Sequence, residues 1–203
     1  IWKDICSKCL ARYIESALAA HAAGTALPFA TIRIDTESVV GSTRFMSAEY
    51  WLSPDGKPSD SMRPNAIEIG STWLSQSAQR TFVNTEAKLL MMSYAFEQLD
   101  VDRLFFKTDA RNAASRANIE RVGAKFEGIL RHNMYSTDGA NDGYRDSAYY
   151  SLLHDEWPEA KESLSWSNEL TFELISTRAK TAPSRATRPT ATFVAPTSMA
   201  RAA

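Results

Sequence analysis

The chain has 203 residues, a formal net charge of −1, and 44% hydrophobic and 23% charged residues, which suits one packed domain with a tail and excludes wholesale disorder. Residues 178–203 carry five basic side chains and no acid, which leaves −6 on residues 1–177. An acidic body argues against nucleic acid and for amine-bearing partners. With no run of 18 apolar residues and no basic-then-apolar leader, the expectation is a cytoplasmic protein without membrane contact. The chain opens at Ile1 inside a helical pattern, as a fragment or processed form would.

From Ile5 to Ala23 the apolar positions Ile5, Cys9, Tyr13, Ala17 and Ala20 recur three and four apart, which predicts a helix ended by Gly24. Cys6 and Cys9 make a CxxC within it. Lacking a second pair or a histidine at finger spacing, they read as small half-buried residues, and no metal is expected. Past the break at 24–28, Phe29–Ile34 and Val39–Phe45 are β-rich runs one turn apart, an antiparallel hairpin. Three prolines and a glycine mark 53–65 as loop.

Ala66–Leu74 reads as a third strand. Asn84–Leu99 reads as a helix with Ala87, Leu90, Met91, Tyr94 and Ala95 on one face, widened by Leu89, Met92 and Phe96, as in a helix lying across a sheet. Arg103–Thr108 is a fourth strand, and Asn112–Val122 a helix with Asn112 as its cap and Gly123 past its end. This strand-helix-strand order predicts a right-handed crossover. Lys125–Met134 and Arg145–Leu153 form a further antiparallel pair closed by Glu156-Trp157-Pro158, and Ser163–Ile175 is amphipathic. The expected fold class is α/β of the α+β type, a mixed, mostly antiparallel central sheet with flanking helices over 1–177. A disordered basic tail over 178–203 follows.

The turn from Gln79 to Asn84 feeds a helix N-terminus, where free backbone N–H groups and the positive end of the dipole make an anion site to which Arg80 adds a charge. Thr108-Asp109-Ala110-Arg111-Asn112, with Ser115 beyond, opens the next helix. In this order of elements, these segments resemble the GNAT superfamily of acyl-CoA N-acyltransferases from about Ile5 to Trp157, with the family's first strand and helix expected upstream of Ile1. Asn84-Thr85-Glu86-Ala87-Lys88, Asp109 to Asn112 with Ser115, Gly123-Ala124 and Glu127 to Arg131 are similar to the ribosomal-protein alanine/serine N-terminal acetyltransferase branch.

The resemblance implies transfer of an acetyl group from acetyl-CoA to a primary amine by direct attack, without a covalent enzyme intermediate. It implies that the backbone of Trp73, Leu74 and Ser75 holds the pantetheine arm, with an N–H near Trp73 steadying the oxyanion. It places Gln79, Arg80, Thr81, Phe82, Val83, Asn84 and Thr85 around the pyrophosphate, Asn112 against the arm near the thioester, and Ser115 beside the sulfur as the candidate acid. Glu68, on the strand passing the acceptor, is the candidate base through water; a solvated strand residue is the alternative reading. His132 is a second base candidate, expected on one strand face with Met134. His21, His154, Arg145 and Asp146 read as structural, and Trp73 and Trp157 as core or pocket wall.

Several positions depart from the family pattern. Phe82 and Asn84 stand where the phosphate turn has small residues, so Phe82 needs a negative φ and a ring turned out of the pocket. Ile119 stands where relatives carry a tyrosine acid, and Met134 where a related branch carries a glutamate base. An α-amine has a pKa near 7.7–8.0 and lysine near 10.4, so freeing the amine at pH 7 costs about 1 kcal/mol against about 4. A peptide N-terminal α-amine is therefore the expected acceptor. A small amine such as an antibiotic, or a non-catalytic acyl-CoA-binding module, are the alternatives.

Overall fold

The structure is a computed structural model that describes residues 7–57, 63–136, 138, 141–164 and 191–194. The chain divides into two compact units, one of Ile1–Ser47, Ser71–Ala87 and Asn168–Ala203, the other of Ala48–Gly70 and Lys88–Ser167.

In the first unit, α1 (Ser7–Ala22) precedes the hairpin of β1 (Ala26–Arg33) and β2 (Ser38–Glu49). The antiparallel register runs from Ala26↔Met46 to Arg33↔Ser38 with an irregularity after Thr31. Pro28, expected in a break, lies inside β1. Its missing N–H is tolerated because β1 pairs on its other edge only from Ala30 onward, with β7 (Ala191–Val194). Those four residues of the stretch expected to be disordered are thus paired, and the rest of 165–203 lies outside the described residues, as does most of Ser163–Ile175. The end of β3 (Ala66–Leu74) follows β2 in strand order. Gly41 is required here, because a Cβ on it would meet Trp73 O and Leu74 Cδ2 at 2.5 Å. A short 3-10 turn, Gln76–Ala78, leads to α2 (Val83–Glu97). Phe29 and Phe45 meet edge to face at 5.6 Å in this core.

In the second unit the strand order is β3-β4-β6-β5, with β4 Arg103–Asp109, β5 Lys125–Tyr135 and β6 Tyr144–Leu153. β4 runs parallel to β3 and antiparallel to β6, which pairs antiparallel with β5. With the β1–β2 and β1–β7 ladders also antiparallel, the mixed, mostly antiparallel α+β architecture read from the sequence is the observed one. The β3–β4 ladder has three rungs, Ala66↔Arg103, Ile67↔Leu104 and Glu68↔Phe105, and stops although both strands run on. α3 (Ala113–Arg121) ends at Gly123, whose φ of +90° turns the chain back. After a 3-10 turn at His154–Glu156 the chain is helical over 157–164 rather than closing at Glu156-Trp157-Pro158. Pro158 falls in that helix's first turn, where its absent N–H costs nothing. Phe96 stacks on Trp157 at 5.3 Å, and the indole N–H donates to Glu97 Oε1 at 2.9 Å.

Candidate functional site

The anion-binding turn expected from the sequence lies wholly in the first unit. Ser75 N donates to Val40 O at 2.7 Å, and Gln79 Nε2 donates to Leu74 O at 3.0 Å, which pins the turn to the end of β3. The Ser75 amide, expected to hold the pantetheine arm, is therefore already used by β2. Thr81 Oγ1 donates to Ala78 O at 2.7 Å and accepts from Val83 N at 3.3 Å, capping the entry to α2. Asn84 and Thr85 follow in the first helical turn, where N–H groups have no intrahelical acceptor.

Phe82 meets the condition set for it. Its φ is not positive, and its half-buried ring packs on Val40, Ala78 and Val83. The left-handed residue of the turn is instead Arg80, with φ +59° and an exposed side chain. A non-glycine there costs about 1 kcal/mol or more, so the strain has moved two residues from where the family pattern puts its glycine.

The second unit holds Glu68, Asn112 and Ser115. Asn112 Oδ1 accepts from Ser115 N at 3.0 Å, the N-cap read from the sequence, so its carbonyl is engaged and its amide nitrogen is the group left to donate outward. Just before it, Asp109 Oδ1 accepts from Arg111 N at 2.8 Å while the Arg111 guanidinium bonds both Asp109 oxygens and reaches Asp138. These bonds hold the Asp109 carboxyl below the usual carboxylate range. The Ser115 hydroxyl is half-buried, with no hydrogen bond among the described residues. Ile119, where a tyrosine acid was absent from the sequence, is 9% exposed and packs in the core.

Glu68 is not a solvated strand residue. It is 2% exposed, and its Oε2 lies 3.0 Å from Lys107 Nζ. The carboxylate therefore sits on the last rung of the β3–β4 ladder with a cation from β4 beside it. Lys107 was invisible as a site residue in the sequence, since one lysine in a strand pattern carries no signal of what faces it. Lys88 was missed too. It is 7% exposed, its Nζ lies 5.9 Å from the Phe106 ring, and burial pushes its ammonium down to about 7.

His132 lies outside this grouping. Three residues of β5, 131–133, bulge opposite Asp146 of β6, and His132 takes φ +49°. The bulge breaks the alternation by which His132 was placed on one face with Met134. Its N–H donates to Asp146 Oδ1 at 2.8 Å, and its exposed ring stacks on Tyr144 at 4.5 Å. Arg145 Nε donates to Ser147 Oγ, as expected of a structural pair. His154 stands 6.0 Å edge-on to Phe96. A cavity of about 540 Å³ lined by Trp51, Asp100, Asp102, Arg103, Leu153, His154 and Asp155 opens at the Arg103 end of β4, whereas Asn112 follows its other end.

The Acetyltransferase (GNAT) domain family matches residues 6–125. The chain belongs to this family. YdaF of Bacillus subtilis (strain 168), provisionally named a ribosomal N-acetyltransferase, is 35% identical over 94 residues, 46% of this chain and 49% of YdaF. The chain thus spans about half the length of that curated relative, and the resemblance to the ribosomal-protein branch stands on it. Among solved structures, a GCN5-related N-acetyltransferase from Brucella melitensis is 29% identical with a TM-score of 0.63, covering 78% of this chain and 63% of that one. Mycobacterium smegmatis RimJ in complex with CoA-disulfide shares the fold at 20% identity and a TM-score of 0.61, covering 79% and 69%. Among the described residues no three His, Cys, Asp or Glu side chains gather as a metal site, and no helix is long and apolar enough to cross a membrane.

Proposed function

We propose that the chain transfers an acetyl group from acetyl-CoA to a primary amine, with a peptide N-terminal α-amine as acceptor, in the cytoplasm. The observation that carries this reading is the ladder that stops at Glu68↔Phe105 with a buried carboxylate on its last rung. Beyond that rung β3 has no β4 partner, so an extended ligand arm can run beside it. Burying an ionised carboxylate costs several kcal/mol unless it is paired, and Lys107 at 3.0 Å supplies the pair.

The turn residues fit a pyrophosphate. The Phe82 ring packs with Val40, Ala78 and Val83, so the amides of Arg80 to Thr85 would be the groups that meet the phosphates, and Arg80 adds charge. At Ser75 the fit is poorer, since its N–H is spent on Val40, which leaves Trp73 and Leu74 as the backbone of β3 that meets the arm. Acetyl-CoA, when bound, supplies the activated acyl group. Glu68 would take the proton of the incoming amine through water, Asn112 would donate from its amide nitrogen to the arm, and the Ser115 hydroxyl would protonate the departing sulfur. The cost comparison between amines favours an acceptor of low pKa.

The test is thiol release from acetyl-CoA with peptides beginning in Ala or Ser, a peptide blocked at its N-terminus but bearing lysine, and small polyamines, alongside calorimetric titration with CoA. The reading expects release with the free N-termini, and a drop in kcat of roughly 100-fold in Glu68→Gln, within the usual range for losing a general base. Binding of CoA without release from any amine would show a binding module instead.

A further inference from the structure

Arg44 is a buried cation for which this chain supplies no anion among the described residues. It sits on β2 in phase with Ser42 and is 8% exposed, and among the described residues its side chain makes neither a hydrogen bond nor an ion pair. Its Nε is buried without an acceptor. The face of Tyr13 lies 5.0 Å from the guanidinium carbon. Tyr13 is fixed from α1, with its hydroxyl donating to Ser71 O at 3.1 Å and standing 3.2 Å from Ser42 Oγ. Trp73 meets the same Tyr13 ring edge-on at 6.1 Å, and its indole Nε1 is a second buried donor without an acceptor. All of these residues belong to the first unit.

Two orphaned donors of different chemistry therefore belong to side chains that pack on one tyrosine ring. Native proteins leave few buried donors unpaired, and fewer buried charges. A guanidinium presents Nε and a terminal nitrogen as a parallel fork that matches the two oxygens of a carboxylate, and an indole N–H can add a third bond to the same group. An aromatic face stabilises the cation without neutralising it, so the demand for an anion remains. Trp73 also ties this cluster to the acyl-transfer reading, since its backbone is the part of β3 that meets the acyl-CoA arm there.

We propose that Arg44, with the Trp73 indole N–H and the Tyr13 ring, forms a subsite for a carboxylate carried by the acceptor, so that the preferred acceptor is a peptide with an acidic side chain close to its free α-amine. This rests on the acetyl-transfer reading and narrows its substrate. The carboxylate replaces the missing counter-charge and fixes the acceptor by KM rather than by kcat.

The experiment compares matched peptides differing only by Glu or Gln at the second position, with wild type, Arg44→Met and Arg44→Lys. Wild type is expected to favour the Glu peptide at least tenfold in kcat/KM, through KM. Arg44→Met should lose the preference, and Arg44→Lys should keep part of it. A second readout needs no turnover: succinate at constant ionic strength should raise the melting temperature of wild type and not of Arg44→Met. Equal use of Glu and Gln peptides by wild type overturns the proposal, even if succinate protects, because the anion would then not be the acceptor's. An unchanged preference in Arg44→Met overturns it as well. If no amine is acetylated, the acetyl-transfer reading fails first, and the succinate comparison then decides whether Arg44 binds a carboxylate at all.

Discussion

Lys88 allows a quantitative check on the interior of the second unit. Burial against the Phe106 ring pushes its ammonium from 10.5 down to about 7, so the folded chain holds it close to half-neutral at pH 7. Between pH 7 and 10.5 the unfolded chain keeps a proton that the folded chain has released. Unfolding free energy therefore rises with pH across that window. The contribution is complete above 10.5 and lost as pH falls through 7. Integrating the linkage from pH 7 to pH 9 gives about 2 kcal/mol. Lys88→Met keeps most of the side-chain volume and removes the titration. The difference in unfolding free energy between Lys88→Met and wild type, from urea melts at both pH values, should favour the variant by about 2 kcal/mol more at pH 7 than at pH 9. Taking the difference cancels Tyr and Cys9 titration common to both proteins. Parallel stability curves for the two would refute the reasoning, since they would mean that the amine stays charged inside the fold or is solvated.

Asn112 carries two roles that separate by substitution. Asn112→Ala should lose about 1 kcal/mol with the cap to Ser115 N and raise KM for acetyl-CoA, while Asn112→Asp should keep the cap and lose only affinity, as read by thermal melts and initial rates. Gly41→Ala should destabilise the first unit by about 2 kcal/mol, because its Cβ would stand 2.5 Å from Trp73 O, and a melt unchanged from wild type would contradict the close approach of β2 to that carbonyl.

The parts of this fold that were legible are those whose signals are local. Asn112 could be read as a cap because capping depends on residues three apart. Gly123 could be read as a helix stop because positive φ favours one residue type, and Ala66–Leu74 could be read to its ends because turn chemistry flanks it. Errors arose where a local signal was overruled from elsewhere. Pro28 reads as a break, yet pairing decides whether its missing N–H matters, and β7 leaves it alone. His132 was assigned a face by counting in twos from Met134, and the bulge opposite Asp146 inserts extra residues that no count reveals. In the phosphate turn Phe82 takes the ordinary backbone expected of it, whereas the left-handed residue at Arg80 carried no sequence signal, because arginine is not a residue type that favours positive φ.

The charges of the candidate site were the least legible because burial is not a property of a residue or its neighbours in sequence. Glu68, Lys107, Lys88 and Arg44 all sit in apolar runs that predict strand or helix whether the charged position faces inward or outward. Their environments then separate them by what each finds. Glu68 finds Lys107 at 3.0 Å; burial pushes Lys88 toward neutrality; Arg44 finds the face of Tyr13 and, among the described residues, no anion. A lysine at position 44 could shed its proton while no anion is near and take it up again beside a bound carboxylate, so it would not need a partner throughout. An arginine cannot, so a buried guanidinium without an internal anion either costs stability throughout or is neutralised by something that binds. That difference between two basic side chains, rather than burial alone, is what turns position 44 from a packing detail into the basis of the proposed carboxylate subsite.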